Sequence, residues 1–324
     1  MTTARRRRRL GVPYPLPTEP PWNAPHRSPL PTPDGTESAL HFSALDFGPG
    51  ESFGGYRFWL GGTPYYNINY QIEDPCLWGS HDGYHWEVPS GLVNPVFPTP
   101  PGLDYNSDID IAHDPTTGLL HMWWREASPN SEFAAGQGRV ALVHSTSPDG
   151  VAWAPKDTTL EWTGMSIAEV GISPSVVRVS DTEWHMHTGE LDWSGGGGYL
   201  CRRTAASPNG PWSAPVSWSF TTSAGRAPWH LEVTLCSDGI HRALIADGSA
   251  GPLHAASSPD GLVWTGADGD VLGRRPGMWD QSLYRGSMTE HEDGGRFRVW
   301  YSGRLDQWHL GYTEIPISEW PTPI

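Results

Sequence analysis

A short turn written four times constrains this chain more than any other feature. Ser80-His81-Asp82-Gly83 precedes Trp86, and Ser147-Pro148-Asp149-Gly150 precedes Trp153. Ser207-Pro208-Asn209-Gly210 precedes Trp212, and Ser258-Pro259-Asp260-Gly261 precedes Trp264. Proline suits the second position of a type I turn and glycine the last, while Asp or Asn bonds its own backbone there. The tryptophan then starts a strand and can pack between sheets. The four glycines stand 67, 60 and 51 residues apart. A repeat of about 50 residues holding four short strands has the size of a propeller blade. Residues 281–320 lack the turn but keep strand patterns, 296–301 and 308–312, and make a fifth unit. The expected fold is all-β: a five-bladed β-propeller with an extended N-terminal arm.

The arm is residues 1–37, with Arg5 to Arg9 followed by nine prolines between Pro13 and Pro33. Proline fixes φ and lacks an amide donor, so this stretch is expected to be extended rather than helical. The propeller is residues 38–324, with blades at about 38–100, 101–162, 163–222, 223–270 and 271–320.

Composition excludes several functions. The formal net charge is −15, and an acidic body repels phosphate backbones, so no nucleic acid partner is expected. No stretch approaches the roughly 20 apolar residues that cross a bilayer, and no apolar segment follows the arginines. Neither membrane insertion nor a signal peptide is expected, and synthesis is placed in the cytoplasm. Cys76, Cys201 and Cys236 are an odd set without CxxC spacing, which points to free buried thiols.

In a propeller the inner strands converge on a central channel, and their starts line one mouth. Blade one offers His41; blade two offers Tyr105, Asn106, Asp108 and Asp110; blade three offers Glu169 and Ser173. Blade four offers Trp229, His230 and Glu232; blade five offers Trp279, Asp280, Gln281, Tyr284 and Arg285. Loops after the second strands add Glu73, Asp74, Arg125, Glu126, Glu190, Asp192 and Arg304. Rings beside carboxylates and amides suit carbohydrate. Calcium is compatible with Asp108, Asp110 and Asp280, but nothing in the spacing demands it, so no metal or other cofactor is expected.

Five blades with acidic inner-strand starts resemble the propeller of glycoside hydrolase family 43. The stretches Tyr56-Arg57-Phe58-Trp59, Glu73-Asp74-Pro75-Cys76, Ser80-His81-Asp82-Gly83, Asn94-Pro95 and Tyr105-Asn106-Ser107-Asp108-Ile109-Asp110 resemble propeller proteins of bacteria and of actinobacterial phages. In phages these are regarded as minor tail or fibre components. The arm and a composition with Lys156 as the sole lysine agree with that resemblance.

The hydrolase resemblance implies three inner-strand carboxylates: a base in blade one, a supporting Asp in blade two and an acid Glu in blade three. Asp108 matches the supporting position. The base position falls at His41 and the acid position at Ser173-Pro174-Ser175, with Glu169 four residues earlier. Inverting hydrolysis needs two carboxyls roughly 6.5–9.5 Å apart. Asp108 with Glu169 or Glu232 is the catalytic set this leaves.

The expected function is a minor tail protein of a phage virion, at the tail tip or fibre. It would recognise host surface glycan through His41, Tyr105, Asn106, Asp110, Trp229, His230, Trp279, Asp280, Gln281 and Arg285. Residues 1–37 would hold it to other tail proteins. The alternatives are a glycoside hydrolase acting on host cell-wall polysaccharide and a purely structural tail subunit.

Overall fold

A computed structural model describes residues 24–99, 105–128, 138–165, 168–192, 197–221, 228–248 and 251–323. The arginine run and most of the expected arm lie outside the described residues. Among the described residues twenty strands, β1 to β20, form five sheets arranged as a five-bladed β-propeller. Blade one holds β2 (Ala39–Asp46), β3 (Phe58–Pro64) and β4 (Cys76–Ser80). Blade two holds β5 (Tyr105–Asp114), β6 (Leu119–Ala127), β7 (Gly138–Ser147) and β8 (Asp157–Met165). Blade three holds β9 (Ala168–Ser180), β10 (Glu183–Asp192), β11 (Gly197–Ala205) and β12 (Val216–Ser217). Blade four holds β14 (Pro228–Leu235), β15 (His241–Asp247), β16 (Leu253–Ser258) and β17 (Val263–Leu272), with β13 (Ser219–Phe220) beside β17. Blade five holds β18 (Ser282–Glu290), β19 (Arg296–Arg304) and β20 (Trp308–Pro316).

The fourth strand of blade five comes from the other end of the chain. Strand β1 (His26–Arg27) pairs with β20, His26 opposite Tyr312. Residues expected to form an appendage thus close the ring. Leu30 is buried in the core between blades five and one, and Trp78 donates to the carbonyl of Pro31.

The repeated turn is built mainly from side chains. Ser147 Oγ accepts from the Gly150 amide at 2.8 Å, and Asp149 Oδ1 accepts from the Val151 and Ala152 amides, each at 2.8 Å. The Ser80 and Ser258 turns repeat this pattern. Two of the turns also receive a tryptophan from the preceding blade, Trp59 at Gly150 and Trp300 at Gly83. A Cβ on Gly150 would lie 2.1 Å from the Trp59 ring, and Gly150 has φ +80°, so this position requires glycine on both counts. Trp300 of blade five donates to the Gly83 carbonyl of blade one at 2.7 Å. Large rings fill these interfaces: Trp59, Trp78, Trp123, Trp124, Trp184, Trp264 and Trp300 are fully buried. Each such ring removes roughly 150–250 Å² from water, which is why tryptophan recurs in the repeat.

Every inner strand breaks register at one height. The shifts fall between Leu40 and Ser43, Ser107 and Asp110, Ile172 and Ser175, Pro228 and His230, and Leu283 and Gly286. At three of these bulges a non-glycine residue has positive φ: His41 (58°), Asp108 (52°) and Ser173 (47°). Bulges re-aim side chains, and strained backbone of this kind persists where surrounding structure over-determines it.

Just beyond the bulges, side chains tie the five inner strands together. Ser43 accepts from the Ile111 amide, Asp110 from Val176, Ser175 from Val233, and Ser287 from Ala44. Ser287 donates to Glu232, which completes the circuit.

Candidate functional site

Four of the five bulges place polar side chains in one cluster. His41 (β2), Asp108 (β5), Ser173 (β9) and His230 (β14) meet at the channel axis, and all are buried. His41 Nε2 lies 3.7 Å and His230 Nδ1 3.2 Å from Asp108 Oδ1. The Ser173 amide and hydroxyl each lie 3.2 Å from that oxygen, and Ser173 Oγ is 2.5 Å from His230 Nδ1. Tyr284, at the fifth bulge, packs its ring 4.1 Å from His230 and 5.5 Å from His41.

Glu73, from the loop before β4, contacts His41 Nδ1 at 3.3 Å, and Thr63 Oγ1 lies 3.1 Å from the same nitrogen. The electrostatics follow from burial and these neighbours. Burial raises the Glu73 carboxyl to about 7, against the opposing pull of His41. Burial also opposes ionisation of Asp108, but His41, His230 and Arg125 outweigh it and hold that carboxyl well below its usual range. His230 is lowered by burial despite Asp108.

His41, Asp108 and His230 each offer a donor atom within 4.8 Å of the others. The Nε2 atoms of both histidines are buried without a hydrogen-bond partner among the described residues. Orphaned buried nitrogens are costly, and two imidazoles with one carboxylate suit zinc or iron with coordination positions left open. The donor set therefore fits a divalent cation.

Beside the cluster lies a cavity of about 220 Å³ lined by Leu40, His41, Tyr65, Ile68, Glu73, Tyr284, Arg304 and Trp308. A neighbouring cavity of about 250 Å³ shares Tyr65, Ile68, Arg304 and Trp308 and adds Asn67, Asp306 and Gln307. The short 3₁₀ turns Tyr66–Ile68 and Tyr70–Ile72 expose Ile68 and Tyr70 at this mouth.

Several residues expected to contact glycan do other work. Arg285 is fully buried and donates to the carbonyls of Ile109 and Pro174 and to Glu232 at 2.8 Å, plugging the channel below the cluster. Asp110 and Glu232 belong to that plug, so Glu232 is no catalytic partner for Asp108: its oxygens are taken by Arg285 and Ser287. Asn106 is buried and donates to Asp74 and to the Phe97 carbonyl. Asp280 is buried against Arg275 and Tyr301, and Trp279 stacks on Tyr301 in the core of blade five. Gln281 accepts from the Gly277 amide within its own loop. Tyr105 is half-buried against Tyr70, with its hydroxyl accepting from Arg125. Trp229 is half-buried, its ring 6.1 Å from His230. The backbone of Glu169 lies in β9, and its side chain lies outside the described residues.

Comparison with known proteins agrees with the fold and corrects the function. No family model matches the chain. A curated relative, the A type blood N-acetyl-alpha-D-galactosamine deacetylase of Flavonifractor plautii, is 26% identical over 306 residues, covering 78% of this chain. The chain spans 38% of that relative's length. A solved structure of an N-acetylgalactosamine deacetylase from F. plautii, in complex with blood group B trisaccharide, has TM-score 0.78 and 21% identity, covering 92% of this chain and 96% of that one. A thermostable family-43 glycoside hydrolase has TM-score 0.59 and 13% identity over 86% and 88% of the two chains. The fold is that of a five-bladed propeller resembling glycoside hydrolase family 43. Its relatives are carbohydrate-processing enzymes. The expected phage tail-tip protein is overturned by these relatives: they point to enzymes, and none is a virion component.

Proposed function

We propose that this chain is a metal-dependent carbohydrate deacetylase that hydrolyses the N-acetyl amide of an amino sugar. The observation that carries this reading is the His41–Asp108–His230 donor set, with His41 standing where a family-43-like glycosidase would need its base carboxylate. The deacetylase activity of the F. plautii relative supports it.

His41, Asp108 and His230 would hold the ion. When bound, a divalent cation supplies Lewis acidity toward a carbonyl oxygen and a water. The remaining chemistry belongs to the chain. Glu73 and Thr63 face His41 Nδ1 and would fix the ring so that Nε2 is left to bind an ion, as carboxylate–histidine pairs do at metal sites. Ser173 fixes Asp108 through its amide and hydroxyl. Glu73 also lines the cavity, so it is placed to take the proton of the attacking water and return it to the leaving amine. Ile68, Tyr65 and Tyr284 offer apolar surface to a sugar face, and Arg304 offers donors to its hydroxyls.

The test is incubation of the full chain with oligosaccharides ending in N-acetylgalactosamine, assaying acetate and free sugar. Acetate release that stops with chelator and in Asp108→Asn is expected. Release of free sugar without acetate would instead establish glycoside hydrolysis.

A further inference from the structure

Five arginines are buried among the described residues, and four of them face a carboxylate. Arg203 meets Glu190 at 3.0 Å, Arg242 meets Asp238 at 2.7 Å, Arg285 meets Glu232 at 2.8 Å and Arg298 meets Asp46 at 2.8 Å. The fifth is Arg125, 3% exposed, which has no ion pair among the described residues. Its Nε donates to the Val170 carbonyl at 3.1 Å, and Nη1 reaches Tyr105 Oη at 3.3 Å and Ser107 Oγ at 3.5 Å. Its Nη2 is buried with no hydrogen-bond partner among the described residues. A buried guanidinium whose hydrogen bonds reach only neutral oxygens keeps donor capacity that an arriving anion could use.

Arg125 stands in the catalytic layer. On β6 it is the cross-strand partner of Ser107, immediately before the bulge at Asp108. Its charge helps to ionise Asp108 and Glu73 and disfavours protonation of His230. The other cation at this mouth, Arg304, sits in the open cavity and stacks on Trp308, where a permanent substrate charge would dock. Arg125 is buried, and it stands across from Ser107, next to Asp108 in the chain.

We infer that Arg125 is a catalytic residue of the deacetylation proposed above, an inference that rests on that reading. Its Nη2 donates to the acetamide oxygen as that oxygen becomes an anion. Water's oxygen forms a bond to the carbonyl carbon while its proton passes to Glu73, and the π-electron pair moves onto the carbonyl oxygen facing Arg125. The C=O bond then re-forms, the C–N bond breaks, the amine takes the proton, and acetate departs. The acetamide is neutral before attack and negative only at the tetrahedral stage. The arginine's charge is therefore matched in the transition state and not in the ground state, which is the condition for raising kcat rather than lowering KM.

The experiment compares wild type, Arg125→Met, Arg125→Lys and Arg125→Ala as full chains supplied with divalent metal, on an N-acetylgalactosamine-terminated oligosaccharide. For Arg125→Met, kcat is expected to fall roughly 10²–10³-fold, with KM within about threefold, because one oxyanion donor is lost. Arg125→Ala should recover part of kcat on addition of guanidinium ion, a recovery that a purely structural role would not give. If Arg125→Met fails to fold, Arg125→Lys decides: it keeps the charge but loses the fork, and its kcat should fall at least about tenfold at unchanged KM. Undiminished kcat in the folded variants overturns the inference, as does a rise in KM alone. A wild-type chain that releases no acetate overturns the deacetylase reading itself, and Arg125's role with it, so the two failures are distinguishable.

Discussion

Two rings of side chains occupy the same five strands, one just beyond the other, and they differ in how their polar atoms are met. The lower ring is Ser43, Asp110, Ser175, Glu232 and Ser287, closed around Arg285. Strand-to-strand hydrogen bonds from these side chains hold the five inner strands together, and two carboxylates flank the one arginine. The upper ring sits at the bulges, where His41, Asp108 and Ser173 have positive φ and two imidazole nitrogens lack hydrogen-bond partners among the described residues. Backbone strain marks one layer, while strand-to-strand hydrogen bonds and a charge-balanced arginine mark the next.

The sharpest way to break this contrast is to remove a charge from each ring. Asp108→Asn should reduce acetate release by more than about 100-fold, a range reached even when only an outer partner of a metal ligand is lost. Its melting temperature should barely move, because Asn tolerates the φ of 52° and keeps an acceptor oxygen. Arg285→Met should do the reverse and destabilise by about 3–5 kcal/mol, since it leaves Glu232 and Asp110 buried without their cation. Chemical denaturation of the two variants checks both; a stable Arg285→Met chain would remove the distinction.

Much of the fold was legible and the chemistry only partly so, for physical reasons. Turn signals are local: Ser147, Asp149 and Gly150 satisfy one another within four residues, so the blades can be counted from the chain. Closure by β1 is not local, because proline-rich residues 24–37 read as an arm until they meet Tyr312 and Trp78. Inner-strand starts drew attention to His41, Asp108 and His230, but these come from three blades with no ligand spacing to mark them as one centre. Glu73 was visible as a loop carboxylate, while its contact with His41 was not. Trp279 and Asp280 also precede an inner strand, yet the chain turns them into the core of blade five, where Tyr301 and Arg275 hold them.

Two smaller effects test the frame around both rings. Gly150→Ala should cost about 1–3 kcal/mol, because its Cβ would overlap the Trp59 ring; a neutral result in a melting assay would remove the interlock between blades one and two. Acid should act through buried histidines away from the channel. Burial lowers His121 to about 4 and His144 to about 3, where the two rings bond each other at 2.9 Å between Trp123 and Trp184. Their folded pKa values lie below the ordinary 6.5, so between pH 6.5 and 4 the unfolded chain binds more protons. Their contribution is complete above pH 6.5 and is lost as pH falls. Melting temperature should decline by several degrees between pH 7 and 5, and less so in His144→Asn.

The central claim is that the upper ring is a metal centre. Metal analysis of the full chain, dialysed against a trace of zinc or manganese, tests it most directly. The account predicts a single divalent ion per chain, lost in Asp108→Asn and in His230→Ala while Arg285 and its ring stay intact. A wild-type chain that retains no ion, or variants that retain it undiminished, would contradict it.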